Sequence, residues 1–128
     1  MTRPCLDSSA WIEIFHNGAN AKAFLKALGD PSCVIVSTIS LYEVWKYTAQ
    51  HADEHRAQRL IEAMQQGVVV DVDPALASHA AALSLQYKIA MADGLIYATA
   101  LSHNATLWTQ DADFQHLPHV KYVPKRKA

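Results

Sequence analysis

Apolar positions fall along this chain in two alternating rhythms. Short continuous runs at residues 3–6, 33–36, 68–70, 106–109 and 120–123 read as buried strands. Between them, apolar residues recur at helical spacing. Trp11, Ile12, Ile14 and Phe15 follow a cap at Ser8 or Ser9 and stop at His16-Asn17-Gly18. Ala23, Phe24, Leu25 and Leu28 form a second helix, closed by Gly29-Asp30-Pro31. A third helix from about Ser40 carries Leu41, Val44, Trp45 and Thr48 on one face, with Glu43 in its first turn. The polar stretch at 51–56 breaks it, and Leu60, Ile61 and Met64 continue a helix to Gly67. Pro74 opens an alanine-rich helix that reaches Tyr87. Asp93 begins the last helix, whose body of Leu95, Ile96, Ala98, Thr99 and Ala100 is largely apolar. Strands alternating with helices predict an α/β fold: a three-layer α/β/α sandwich around a mostly parallel sheet of four to five strands.

Composition narrows the classes. With 128 residues, 51% hydrophobic and 18% charged, the chain has the make-up of one globular domain. The domain is expected over 1–124, followed by a basic tail at 125–128. A net charge of −1 carries no global basic signature, so a nucleic-acid partner must meet a local patch or bound metal. No apolar run reaches the roughly 18 residues that span a bilayer, so no membrane partner is expected. The N-terminus lacks the apolar stretch of a signal peptide, which predicts a cytoplasmic protein. Cys5 and Cys33 both fall in predicted strands, where they read as small buried hydrophobes without a disulfide framework.

Chemistry concentrates at the ends of the predicted elements. Asp7 follows the first strand, Glu43 and Asp93 start helices, and Asp111 follows the fourth strand, with Asp113 close behind. In an α/β sheet such ends share one edge. Singly, Asp7 or Asp93 reads as a helix cap or a dipole partner. Together they are costly: two carboxylates about 5 Å apart repel by roughly 3 kcal/mol at an effective dielectric near 20. Either some are protonated or a divalent cation neutralises them. An all-oxygen donor set suits Mg²⁺, or Mn²⁺, rather than zinc.

Four motifs carry a resemblance: LDSSAWIE with Asp7 and Ser9, ISLYEVWK with Glu43, ADGLIYATA with Asp93, and LWTQDADF with Asp111. In this order the chain resembles PIN-domain ribonucleases over essentially its full length, and specifically the VapC-type toxins of toxin–antitoxin pairs. The resemblance implies a Mg²⁺-dependent endoribonuclease. Asp7, Glu43, Asp93 and Asp111 would be its catalytic and metal-binding acids, Asp113 a further candidate ligand, and Ser9 a contact to substrate or water. It also implies an RNA substrate cut to a 5′-phosphate and a 3′-hydroxyl, a small antitoxin partner and a homodimer. Gly94 and Tyr97 depart from the pattern, which more often has alanine there.

Positive charge must border an acidic pocket that accepts RNA. Lys46, Arg56, Arg59, Lys88, Lys121 and the Lys125-Arg126-Lys127 tail are the candidates, against the plainer reading of solvated surface charge. Trp11, Phe15, Phe24, Trp45 and Trp108 fall at core spacing and read as packing or, for some of them, a partner surface, and Tyr42, Trp45 and Tyr47 near Glu43 read as a contact for a partner helix. The stretch from His51 to His55 matches an inverted zinc-peptidase pattern, but its polarity on all sides favours an exposed turn. His116 and His119 read as solvated loop residues. The rival functions are a PIN-fold nuclease without an antitoxin, a non-enzymatic binding module, and a phospho-acceptor receiver, the last suggested by Asp71 and Asp73 after the third strand.

Overall fold

The computed structural model describes residues 2–126. Lys127 of the basic tail lies outside them. Five strands form one sheet: β1 (Pro4–Leu6), β2 (Ile35–Ser37), β3 (Val68–Val70), β4 (Thr106–Thr109) and β5 (Val120–Tyr122). Their order is β3-β2-β1-β4-β5, and every pairing is parallel. Six helices connect them: α1 (Ser8–Phe15), α2 (Ala21–Leu28), α3 (Thr38–His51), α4 (Glu54–Met64), α5 (Pro74–Tyr87) and α6 (Met91–Ser102). The receiver arrangement is excluded by topology, since that fold orders its strands 2-1-3-4-5. Here Asp71 and Asp73 follow the edge strand β3, not a central one.

Alternation along the strands builds two cores, one on each face. Cys5, Ile35 and Leu107 point into a cluster with Leu76, Ile96, Tyr97 and Phe114, covered by α5 and α6. Leu6, Val34 and Val36 point to the other face, among Trp11, Phe24, Val44 and Met64 of α1 to α4. Strand order reverses at β1, whose neighbours are β2 and β4. The crevice beyond the carboxyl ends at such a reversal is where open α/β sheets bind ligands. Asp7 directly follows β1, and Asp111 lies two residues past β4.

Three local expectations are corrected. Cys33 is exposed and ends a 3-10 turn, Pro31–Cys33, because Asp30 caps that turn through Ser32 N before β2 begins. Helix α3 starts at Thr38, because the Ser37 hydroxyl accepts from Ile39 N. Glu43 therefore sits in the second turn, not the first. Helix α6 starts at Met91, so Asp93 is in its first turn without being its cap, and Ala90 at the cap position makes no side-chain hydrogen bond. The break in the third helix falls at Ala52 and Asp53, where Asp53 caps α4 through Arg56 N. That break separates His51 from His55, and the His51 ring stacks on Tyr47 instead. Among the described residues, no helix is long and apolar enough to cross a membrane.

Gly94 has a physical reason. A Cβ there would lie 2.3 Å from Ser84 Oγ and 3.0 Å from Ala80 O, so its absence lets α6 approach α5 closely. Tyr97, the other departure, is buried and donates its hydroxyl to Pro118 O at 2.7 Å.

Candidate metal centre

Asp7 is fixed by the chain on both sides of the switch point. It is the N-cap of α1: Oδ1 accepts from Ala10 N at 3.0 Å and from Ser9 Oγ at 2.7 Å. Its other oxygen, Oδ2, accepts from the Thr109 hydroxyl at the end of β4. Thr109 Oγ1 in turn accepts from Asp111 N at 2.9 Å, and Ser9 Oγ accepts from Gln110 N at 3.2 Å. Two hydroxyls thus tie Asp7 to the backbone of the acidic loop. Glu43 is held by Ser8, which donates to Oε1 at 2.6 Å.

A second tie lies behind the loop. Glu13 accepts from Asn20 N at 2.9 Å and from Gln110 Nε2 at 3.3 Å. The buried Asn20 amide donates to Gln110 Oε1 and to Pro124 O. The residue preceding Asp111 is therefore clamped to α1 and to the chain after β5.

The other acids are loosely held. One carboxylate oxygen from each of Asp93, Asp111 and Asp113 lies within 4.8 Å of the other two. Asp111 Oδ1 accepts from Asp113 N at 2.9 Å, which caps a 3-10 turn over Ala112–Phe114. Asp7, Glu43, Asp93 and Asp111 line one cleft of about 340 Å³ with Ser8 and Ser9. Helix α3 supplies another side of it through Tyr42, Lys46, Tyr47 and Gln50. The four sequence-predicted acids are thus brought together. Asp113, left open by the sequence, joins the tight oxygen group, whereas Asp7 and Glu43 line the cleft outside it.

The electrostatics follow from burial and crowding. Burial pushes the Asp7 carboxyl up to about 6; the bonds from Thr109, Ser9 and Ala10 oppose this and Asp111 adds to it. Burial also raises Asp93, to about 7, reinforced by Asp111, Glu43, Asp7 and Asp113. The donors are all carboxylate oxygens, the set that suits hard divalent cations. One oxygen from each of Asp93, Asp111 and Asp113 already lies within 4.8 Å of the other two, so a single cation between them would touch all three side chains once they close around it. The residues present fit such an ion.

Ser9 Oγ has three protein partners, Asp7 Oδ1, Gln110 N and, at 3.4 Å, Thr109 Oγ1, and it joins Asp7 to the loop. Of the expected cations, Lys46 alone among the described residues lines the cleft. Arg56 donates to Phe15 O at 3.3 Å, Lys88 closes α5, Arg59 is exposed on α4, and Lys121 lies on β5 beside a different cavity. Sequence reasoning missed Ser8, Thr109 and Gln110 as site residues. The one local hint was a hydroxyl two residues before an acid at the end of an apolar strand.

The chain matches the PIN domain family over residues 5–120. No curated protein matches it closely enough to count as a relative. Among solved structures, a chain of a toxin–antitoxin complex from Klebsiella pneumoniae is similar, with a TM-score of 0.79 and 28% identity, covering 92% of this chain and 95% of that one. The sarcin–ricin loop-cleaving toxin VapC20 of Mycobacterium tuberculosis has a TM-score of 0.74 at 17% identity, covering 97% and 99%. DNA-bound VapBC from Salmonella typhimurium has a TM-score of 0.72 at 17% identity, covering 97% and 98%. At these last two identities the likeness is one of fold. The family match spans both strands of the switch point and all five acids around it, and this chain belongs to the PIN domain family.

Proposed function

We propose that the protein is a divalent-metal-dependent endoribonuclease, the toxin member of a toxin–antitoxin pair. The observation that carries this is the oxygen group of Asp93, Asp111 and Asp113 beside the fixed Asp7, at the switch point of a PIN-domain sheet. The toxin–antitoxin complex similar over 92% of the chain supports the pairing with an antitoxin.

Asp93 and Asp111 would hold the ion, most simply Mg²⁺, with Asp113 at its exposed edge and Asp7 and Glu43 completing or orienting the site. When bound, the ion supplies charge compensation at the scissile phosphate and polarises the attacking water. Ser9 and Thr109 keep Asp7 and the Asp111 backbone in one arrangement, so little reorganisation accompanies the reaction. Ser8 does the same for Glu43. Attack by water on phosphorus, with loss of the 3′ oxygen, leaves a 5′-phosphate and a 3′-hydroxyl. A small antitoxin and a second copy of the chain are the proposed partners.

The test is cleavage of total RNA by purified protein in Mg²⁺ against EDTA, with sequencing of the new ends. Cleavage that requires the metal and leaves 5′-phosphates is expected, and Asp7→Ala should lose it. Equal cleavage in EDTA, or full activity of Asp7→Ala, would overturn the reading.

A further inference from the structure

The geometry points to a stacking subsite for one unpaired RNA base on Tyr42 of α3, with Lys46 taking the adjoining phosphate. This rests on the ribonuclease reading and specifies the substrate form its cleft takes. Residues 42, 43, 46, 47 and 50 recur at the spacing that shares one helix face. All of them line the acidic cleft. The acid Glu43 and the cation Lys46 are thus one turn apart on a single rigid element.

The two tyrosines differ in a way that matters. Tyr47 is half-buried, stacked on His51 with ring centres 4.0 Å apart and met edge-on by His16 at 5.2 Å. Its ring is already packed. Tyr42 is 62% exposed, and the contact to its ring is Lys46 Nζ, 5.8 Å from the centroid. An exposed aromatic ring with a cation over one of its faces, beside a carboxylate site, matches the two needs of a single strand: a platform for a base and a charge for its backbone. A paired base cannot offer its face to Tyr42 without leaving its duplex, so the subsite selects unpaired RNA. Among the described residues Lys46 is also the cation that lines the cleft, and it offsets the repulsion that a phosphate meets there.

The test uses the full chain carrying Asp93→Asn, so that RNA is bound without being cut. The probe is a short oligoribonucleotide with 2-aminopurine in an unpaired stretch. Its fluorescence should be quenched on binding. Tyr42→Ala should lose the quench and weaken binding by about five- to a hundredfold, the range for one base–aromatic stack. Tyr42→Phe, which keeps the ring, should retain both. Lys46→Gln should weaken binding at low salt and lower the slope of log affinity against log salt by about 0.7. Annealing the complement to the probe should abolish the quench.

An unchanged quench in Tyr42→Ala overturns the subsite. So does a loss in Tyr42→Phe as large as in Tyr42→Ala, or a duplex bound as tightly as the single strand. If Tyr42→Ala binds RNA normally but loses a protein partner, the face is a protein-docking surface and the subsite is wrong. Cleavage by the chain with Asp93 intact is scored separately. No cleavage with quenching preserved overturns the ribonuclease reading alone, and cleavage without any Tyr42-dependent quench overturns the subsite alone.

Discussion

Asp7 and Asp93 face the same cleft but are built into the molecule in opposite ways. Asp7 is buried, caps α1 and accepts bonds on both oxygens from Ala10, Ser9 and Thr109. It belongs to the scaffold as much as to the site. Asp93 is half-buried in the first turn of α6, crowded by Asp111 and Asp113. Burial and the neighbouring carboxylates together disfavour its ionised form. One half of the site is therefore organised by folding, and the other half is a crowded group of acids that the proposed cation would complete.

Substitutions on the two halves should separate most clearly in activity. Asp93→Asn should reduce RNA cleavage by at least about a thousandfold, the scale of losing a charge that acts on the transition state. It should also raise the melting temperature of the metal-free protein, because it removes repulsion with Asp111, Glu43 and Asp7. Parallel melts and cleavage assays check both. A metal-free protein destabilised by Asp93→Asn would contradict the contrast.

Thr109→Val acts on the other half. It removes the donor to Asp7 Oδ2 and the acceptor for Asp111 N. A tenfold to hundredfold loss of metal affinity or activity is expected, as for other residues that orient metal ligands. Metal-free stability should fall by about 1–3 kcal/mol, the cost of buried partners left unpaired. Thr109→Ser keeps the hydroxyl and should restore most of both. Denaturant melts and metal titrations of the pair distinguish this from a simple packing defect.

Acidity supplies a third test, in EDTA. Asp7 stands at about 6 and Asp93 at about 7 in the folded chain, both above the usual carboxylate range. Between about pH 4 and 7 the unfolded chain has released these protons while the folded chain still holds them. Stability is then full below about pH 4 and falls as pH rises through 6 to 7. For the buried Asp7 the loss is on the order of 3 kcal/mol; Asp93 is more open to solvent and adds less than its shift suggests. Urea melts from pH 4 to 8 should show the decline between about 4 and 7, and Asp7→Asn should flatten much of it. Saturating Mg²⁺ should flatten it as well, by favouring the ionised acids.

The smallest effect belongs to Asp113. It is exposed, and its carboxylate joins the oxygen group without lining the cleft. Asp113→Asn should weaken metal binding by only a few-fold to tenfold, as a peripheral carboxylate near the ion. A calorimetric metal titration reads it directly.

The sequence carried the sheet and the clustering of the acids because both are local patterns. Continuous apolar runs mark buried parallel strands, and an acid directly after one falls at a sheet edge. Helix bounds depend on which hydroxyl takes the capping bond, so Ser37 moved Glu43 into the second turn of α3. Cys33 looked like strand because a valine-rich run follows it, yet Asp30 folds that end into a turn. The bond from Thr109 to Asp7 joins residues 102 positions apart. No periodicity reports such a contact. The same holds for the Glu13–Asn20–Gln110 clamp, whose members read singly as ordinary helix and strand-end residues.

The account stands most directly on one melt. Metal-free protein at pH 7.5 is titrated with Mg²⁺, and its melting temperature is followed beside that of Asp93→Asn. Wild type should begin lower and climb with metal, while Asp93→Asn should begin higher and barely respond. Equal responses of the two proteins, or none in wild type, would contradict a centre completed by a divalent cation.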